Sequence, residues 1–103
     1  MQKVYRVVVT QSAKNALQDI IDYINKDSPS AALKVRNELI HLISSLNHVP
    51  ERFSKEIYLA NRDGNYRSVT KWSYKIVYRI LEEDVVVLSI FHTGQHPEKL
   101  KSL

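Results

Sequence analysis

The C-terminal third of the chain restricts the fold most strongly, since residues 66–97 read YRSVTKWSYKIVYRILEEDVVVLSIFHTGQHP. β-Branched and aromatic residues dominate this run, and short turn-forming sequences divide it into three successive strands. Strands joined by such short turns pair antiparallel, because a parallel connection needs a dozen residues or more. The run therefore predicts an antiparallel sheet, one face of which the rest of the chain must cover.

The same strands carry four basic side chains, and no acid occurs in residues 65–81. Alternate side chains of a strand point to opposite faces, so residues four apart share a face. Arg67 and Lys71 share one on the first of these strands, and Lys75 and Arg79 share one on the second. Folding alone does not require four cations that repel one another. We therefore predict that they gather on one sheet face and bind a negatively charged partner.

Length and composition limit the possible classes of protein. The 103 residues suffice for a single domain, 1–103, whose core needs no disulfides. The absence of cysteine excludes a disulfide framework and a thiolate nucleophile or metal site, and it agrees with a cytoplasmic location. No apolar run is long enough to span a membrane. The net charge of +4, all of it attributable to residues 65–81, favours acidic partners such as nucleic acid or an acidic protein segment.

The N-terminal half predicts a strand followed by two helices. The segment KVYRVVVT is typical of a strand, after which Thr10 or Ser12 can cap a helix. Ser28 and Pro29 begin a second helix that extends to about Asn47, and the short connection makes an αα-hairpin. Both helices have apolar residues at three- and four-residue spacing. These residues are Ala13, Ala16, Leu17, Ile20, Ile21 and Ile24 in the first helix, and Ala32, Val35, Leu39, Leu42, Ile43 and Leu46 in the second.

The remaining segments complete an α+β domain. Glu56–Ala60 predicts a short strand, Asp63 and Gly64 a turn, and 74–81 with 85–92 a hairpin. A three-residue hairpin loop separates apolar from basic residues best. It places Tyr74, Ile76, Tyr78, Ile80, Val86, Leu88 and Ile90 towards the helices, and Lys75, Val77, Arg79, Val87, Ser89 and Phe91 away from them. The predicted fold is thus an N-terminal strand, an αα-hairpin and a four-strand antiparallel meander, with the helices on one sheet face.

This order of elements resembles the RelE/ParE toxin superfamily of type II toxin–antitoxin systems. The phrase YRSVTKWSYKIVYRI, the acidic turn EED and the run VVVLSIFHTGQHP contribute to the resemblance, which covers almost the whole chain. It implies a small basic cytoplasmic toxin that a cognate antitoxin wraps and neutralises. ParE-like members inhibit DNA gyrase, whereas RelE-like members cut mRNA in the ribosomal A site. The long helical hairpin and the ending HTGQHPEKL favour the ParE-like branch.

The RelE-like alternative is a metal-independent endoribonuclease. Such an enzyme must deprotonate the 2′-hydroxyl, compensate the phosphate charge and protonate the leaving oxygen. The resemblance places Arg67 and Lys75 at basic positions of the catalytic pattern, and on this alternative His92, or else His96, would substitute as the proton donor. No cofactor is expected, and no metal site, because the two histidines lack an evident third ligand.

Departures from the RelE pattern favour the non-enzymatic reading. Ser68 or Val69, depending on the alignment, stands where a second basic residue is expected, and Gln95 stands where an arginine is expected. The terminal region also lacks the tyrosine with which many ribosome-dependent members stack on a base. The partners expected are therefore an antitoxin and DNA gyrase, with the ribosome and mRNA as the alternative target.

The candidate residues for binding the target or the antitoxin are Arg67, Lys71, Trp72, Lys75 and Arg79. Trp72 can stack on a base or on an antitoxin side chain, or instead anchor its turn to the edge of the core. Alternatively, the cations are solvated charges that keep the sheet from pairing with the sheets of other molecules. We expect the antitoxin segment to cross the basic face or the groove beside the helical hairpin.

Overall fold

The computed structural model describes residues 3–94 of the chain. Its helices and strands, in chain order, are β1 (Arg6–Val9), α1 (Gln11–Asn25), α2 (Pro29–Ser44), β2 (Asn65–Lys71), β3 (Tyr74–Ile80) and β4 (Asp84–His92). Short 3₁₀ turns at Ser45–Asn47, Pro50–Arg52 and Ile57–Leu59 lie between α2 and β2. The predicted α+β class, with its N-terminal strand, helical hairpin and C-terminal sheet, is confirmed. Among residues 3–94, no helix is long and apolar enough to cross a membrane.

Both helices begin where the capping residues predict. The hydroxyl of Thr10 accepts a hydrogen bond from the Ala13 N–H at 3.1 Å, and that of Ser28 accepts one from the Ala31 N–H at 3.2 Å. Each cap satisfies a backbone donor that the first helical turn leaves without an intrahelical partner. Pro29 is the first residue of α2, a position where its missing N–H costs nothing.

The sheet is mixed, and its strand order is β1-β4-β3-β2. Strands β2, β3 and β4 form an antiparallel meander, and β1 lies parallel to β4 at one edge. The additional meander strand predicted at Glu56–Ala60 is wrong: the segment forms the Ile57–Leu59 turn, and Lys55 makes a single bridge to Arg67. The Glu56 carboxylate accepts the Tyr58 N–H at 3.2 Å, and such a local bond competes with strand pairing.

The main core lies between the helical hairpin and one face of the sheet. It is built from Ala13, Leu39, Ile43 and Leu46 of the helical half and from Val69, Ile76, Tyr78, Val85, Val87 and Ile90 of the sheet. The predicted three-residue hairpin loop is wrong, because Ile80 pairs with Val85 and the Leu81 N–H donates to the Asp84 carbonyl oxygen, which leaves a two-residue loop. Val85 and Val87 therefore take the inward positions predicted for Val86 and Leu88. A bulge between Val77 and Tyr78 then restores the predicted pairing of Ile76 with Ile90.

The opposite face of the sheet carries a second, smaller core. Leu59 packs there with Val77 and Phe91, and Tyr66 lies against this cluster. The loop between α2 and β2 therefore covers part of the surface that the sequence analysis left for basic side chains. Folding buries apolar side chains on both faces, which limits the room for a charged surface.

Candidate functional site

The four basic residues of β2 and β3 are divided between the two faces of the sheet. Arg67 pairs across the strands with the core residue Tyr78, so Arg67 and Lys71 point to the side of the sheet that carries the helices. Lys75 and Arg79 occupy the alternate positions of β3 and point to the opposite side. The prediction that all four cations gather on one face is therefore wrong.

The turn between β2 and β3 is the cause of this division. Trp72 and Ser73 form a two-residue connection, so that Lys71 pairs directly with Tyr74. Directly paired residues share a face, and the next residue, Lys75, points to the other one. Spacing by four preserves the face along one strand, but it reverses the face across this turn.

Arg67 binds backbone carbonyls inside the molecule. Its Nη1 donates to the carbonyl oxygens of Glu51 and Phe53 at 3.0 and 2.6 Å, and its Nε donates to the Asn65 Oδ1 at 2.9 Å. These bonds attach the loop after α2 to strand β2. Arg67 is thus positioned to hold the fold together, and its donors are largely occupied.

Tyr78 attaches the same loop from the neighbouring strand. Its buried hydroxyl donates a hydrogen bond to the Pro50 carbonyl oxygen at 2.6 Å. Burial raises the pKa of Tyr78 to about 12, although the charges of Arg67 and Arg52 oppose the rise. The hydroxyl therefore stays protonated and remains a donor at physiological pH.

Lys75 forms a buried ion pair with Glu56. Its Nζ lies 2.6 Å from the Glu56 Oε2, and the two side chains are 18% and 0% exposed. Burial on its own would raise the pKa of Glu56, but hydrogen bonds from Lys75, Ser68 and the Tyr58 N–H, together with the lysine charge, lower it below the ordinary 4.5. The Glu56 carboxylate thus remains ionised at neutral pH, and its contact with Lys75 fastens the Ile57–Leu59 turn to the sheet.

Arg79 is less completely engaged. Its guanidinium lies 5.2 Å from the centre of the Tyr66 ring, and its buried Nε has no hydrogen-bond partner within the described residues. The chain passes close by at Gly64, where φ is 131° and a Cβ would lie 2.8 Å from that nitrogen. Glycine at this turn is therefore required both by its backbone conformation and by the packing of Arg79.

Trp72 lies half-exposed at the tip of the β2–β3 hairpin. Its φ is 53°, a conformation that is costly for a bulky residue. The ammonium groups of Lys71 and Lys34 lie 4.9 and 6.0 Å from its ring centre. Lys34 belongs to α2, so the tip is in contact with the helical hairpin. A binding role for Trp72 and Lys71 stays a prediction.

The predicted nuclease residues do not form a common site. Lys75 lies on the face opposite to Arg67, and His92 is exposed at the far end of β4. His92 accepts a hydrogen bond from the Gly94 N–H at 3.0 Å through Nδ1. Residues 95 and 96, the other two positions considered, lie outside the described part of the chain. No group of three histidine, aspartate or glutamate side chains in residues 3–94 could hold a metal ion.

A groove lies between β1 and the helical hairpin. Its volume is about 500 Å³, and apolar side chains dominate its lining, which consists of Tyr5, Val7, Val9, Lys14, Leu17, Ile40, Ile43, Ser44 and Asn47. The groove exists because β1 pairs with β4 at the edge of the sheet, beside the helices. This long-range pairing has no local signal in the sequence.

Comparison with protein families identifies the chain. Residues 7–97 match the family model described as the ParE toxin of the type II toxin–antitoxin system, parDE. The chain belongs to this ParE toxin family. No curated protein matches it significantly.

Solved structures share the fold of this ParE family member. The chromosomal ParDE toxin–antitoxin system of P. aeruginosa superposes with a TM-score of 0.72 at 20% identity, covering 86% of this chain and 96% of that one. The toxin–antitoxin complex RelBE2 of Mycobacterium tuberculosis gives a TM-score of 0.59 at 22% identity, covering 92% and 98%. The predicted membership of the RelE/ParE superfamily, with the ParE-like branch favoured, is confirmed.

A further feature of this ParE family toxin was missed because its segment was assigned to a strand. Ile57 and Tyr58 are adjacent in the chain and are 75% and 51% exposed. In a strand, two adjacent residues would have pointed to opposite faces, so that one of them would have been covered. The 3₁₀ turn instead leaves both in solvent, on the outer side of the sheet.

Proposed function

We propose that this ParE family toxin arrests growth in the cytoplasm by binding DNA gyrase, and that a cognate antitoxin neutralises it. The observation that carries the proposal is the internal engagement of the candidate nuclease residues. Arg67 holds backbone carbonyls and Lys75 is paired with a buried carboxylate, on opposite sides of the sheet. Metal-free cleavage of RNA needs its acid, base and phosphate ligands around one reacting phosphate. Inhibition by binding needs no such assembly.

An assay of purified gyrase tests this target. The toxin should block ATP-dependent supercoiling of relaxed plasmid, while RNA in the same mixture stays intact. The same toxin saturated with its antitoxin is the control and should leave gyrase active. Full supercoiling at a large molar excess of free toxin would exclude gyrase as the target. Toxin-dependent cuts in mRNA on stalled ribosomes, after brief induction in cells, would favour the RelE-like alternative instead.

The groove beside β1 is the proposed binding site for the antitoxin. The antitoxin segment was expected to cross a basic face or a groove beside the helical hairpin, and the four cations do not form a single face. The Arg6 N–H donates to the Glu83 carbonyl just before β4 and the Thr10 N–H to Val87 in β4, so the N–H groups of Val7 and Val9 point to the other edge of the strand. An extended segment can bond to this edge and place apolar side chains in the groove. Lys14 at the rim adds a contact for an acidic residue.

The solved structures support a protein partner of this kind. ParDE of P. aeruginosa and RelBE2 of M. tuberculosis, which share the fold, are both toxin–antitoxin systems. An exposed strand edge next to an apolar groove is also a risk for aggregation in a free protein, and a bound partner segment removes that risk. The groove therefore suits a partner segment that stays bound to the toxin.

Placing a charge in the groove should weaken the antitoxin complex. In the variant Ile40→Asp a carboxylate would be buried against the bound segment without a counter-ion, and we expect the dissociation constant to rise about tenfold or more. Titration calorimetry with the purified antitoxin measures the change. Leu33→Asp, at an exposed position of α2 outside the groove lining, is the control and should bind normally. Equal affinities for the two variants would contradict the proposed site.

A further inference from the structure

The Ile57–Leu59 turn presents two large apolar side chains to solvent. Ile57 is 75% exposed and Tyr58 51% exposed, and the two are neighbours on the side of the sheet away from the helices. Single exposed apolar residues are ordinary on protein surfaces. An adjacent aliphatic and aromatic pair, projecting from a turn, is a more specific arrangement that suits insertion into a partner.

The residues on either side of this pair fix it in place. Before it, the Glu56 carboxylate is fully buried and lies 2.6 Å from the Lys75 ammonium. After it, Leu59 is buried in the small core with Val77 and Phe91. The exposed pair therefore projects from a turn that is anchored at both ends. A group that is already ordered loses less entropy on binding than a flexible loop does.

The chemistry of the turn selects the class of partner. Ile57 has no polar atom beyond its backbone, and an aliphatic side chain gains little from contact with phosphate or sugar. The Lys75 ammonium lies 5.3 Å from the Tyr58 ring centre and is neutralised by Glu56. This cation therefore adds little attraction for a polyanion. An apolar recess of a folded protein fits the turn better, since tyrosine and apolar groups dominate the centres of protein interfaces.

We propose that the Ile57–Leu59 turn is the apolar anchor by which the toxin holds its protein target, separate from the groove assigned to the antitoxin. This inference rests on the proposed function, inhibition by binding to a protein, and names the surface that performs it. The turn and the groove are built from different parts of the chain, the loop before β2 and the β1–helix side. Toxicity and neutralisation should therefore be separable by mutation.

The double variant Ile57→Ser/Tyr58→Ser tests the inference against a control of matched composition. Leu33→Ser/Tyr23→Ser removes one aliphatic and one aromatic residue from the helices that are 58% and 72% exposed, so both pairs lie mostly in solvent. The turn variant should need at least about tenfold more toxin for half-maximal inhibition of supercoiling. Its antitoxin affinity and melting temperature should match those of the wild type, and the control should inhibit normally. Ile57→Ser alone keeps the contact between Tyr58 and Lys75 and should show a smaller loss in the same direction.

The alternatives give different results. Unchanged inhibition by the turn variant would overturn the inference and leave gyrase as the target. A parallel loss of antitoxin affinity, or of self-association in sedimentation, would also overturn it by assigning the turn to the antitoxin or to a second copy. If the wild type does not inhibit gyrase, the inference is tested by growth arrest after induction. If the wild type arrests growth without cleaving mRNA, and only the turn variant fails to do so, the turn binds a different protein target. Any other outcome overturns the inference.

Discussion

Replacing Lys75 with alanine should lower the free energy of unfolding by about 3 to 5 kcal/mol, the range found when one member of a buried ion pair is removed. The Glu56 side chain is fully buried, and the Lys75 ammonium at 2.6 Å is its counter-ion. Without that ammonium, the carboxylate stays in a site from which water is excluded. Urea denaturation of the two proteins measures the difference.

Two further variants separate the buried pair from the general effect of losing a lysine. Lys55→Ala removes an exposed lysine next to Glu56 and should change stability by no more than about 0.5 kcal/mol. The double variant Lys75→Met/Glu56→Gln replaces both charges and should recover most of the lost stability. If Lys75→Ala is as stable as Lys55→Ala, the ion pair contributes nothing to the free energy of unfolding.

The same pair predicts how the difference depends on pH. Because the pKa of Glu56 is lowered by folding, the unfolded chain binds its proton more readily. Its contribution to stability is therefore present above the ordinary value of 4.5 and is lost as the pH falls through the lower folded pKa. In Lys75→Ala burial raises the pKa of Glu56, so protonation relieves the unpaired charge. The gap between the two proteins should narrow in acid.

Lys75 variants also distinguish the two proposed activities. In the ribonuclease alternative Lys75 acts on the substrate, and the Lys75→Met/Glu56→Gln variant should be inactive although it is folded. If toxicity depends on binding a protein through a turn that Lys75 only supports, the folded double variant should still arrest growth. Induction of each variant at equal protein level makes this comparison.

Replacing Arg67 with alanine should destabilise the toxin by about 2 to 3 kcal/mol, the cost of leaving partly buried polar groups without partners. The Glu51 and Phe53 carbonyls would lose a charged donor at 3.0 and 2.6 Å, and Asn65 would lose its bond to the guanidinium. Thermal unfolding of the purified variants measures the loss. Arg67→Lys should recover only part of it, because an ammonium cannot reproduce the planar geometry of three such bonds.

An exposed arginine of α2 supplies the control for Arg67. The described contact of Arg36 is a hydrogen bond to the neighbouring Asn37 at 3.3 Å, and Arg36→Ala should leave the melting temperature nearly unchanged. If Arg67→Ala is equally stable, then the loop after α2 does not depend on this side chain. Below its melting temperature Arg67→Ala should still inhibit gyrase, because the inhibiting surface is proposed to lie elsewhere.

The helices illustrate what short-range chemistry can predict. Thr10 and Ser28 cap their helices through backbone groups three residues away, and Pro29 acts through its own ring. Such interactions are complete within one turn of chain, so they can be recognised before any fold is known. The family resemblance was also recognisable from sequence, because it rested on the order of elements and on short runs such as YRSVTKWSYKIVYRI and VVVLSIFHTGQHP.

The faces of the sheet illustrate what could not be predicted. Whether Arg67 and Lys75 share a face depended on the length of the turn at Trp72. The inward set of β4 depended on the length of the loop after Leu81 and on the bulge near Val77. A change of one residue in register reverses every side chain beyond it, while the local preferences of the chain hardly change. The positions of the cations were therefore undetermined by their spacing.

Residue order alone was thus enough to define the helices, their caps, the three antiparallel strands β2, β3 and β4, and the toxin family, since each depends on groups close together in the chain. Long-range packing determined the rest. It placed β1 beside β4, divided the four cations between two faces, and buried Glu56 against Lys75. Those contacts join segments that are far apart in the chain. They form only in the assembled core, because only there is burial of the ion pair and the loop favourable.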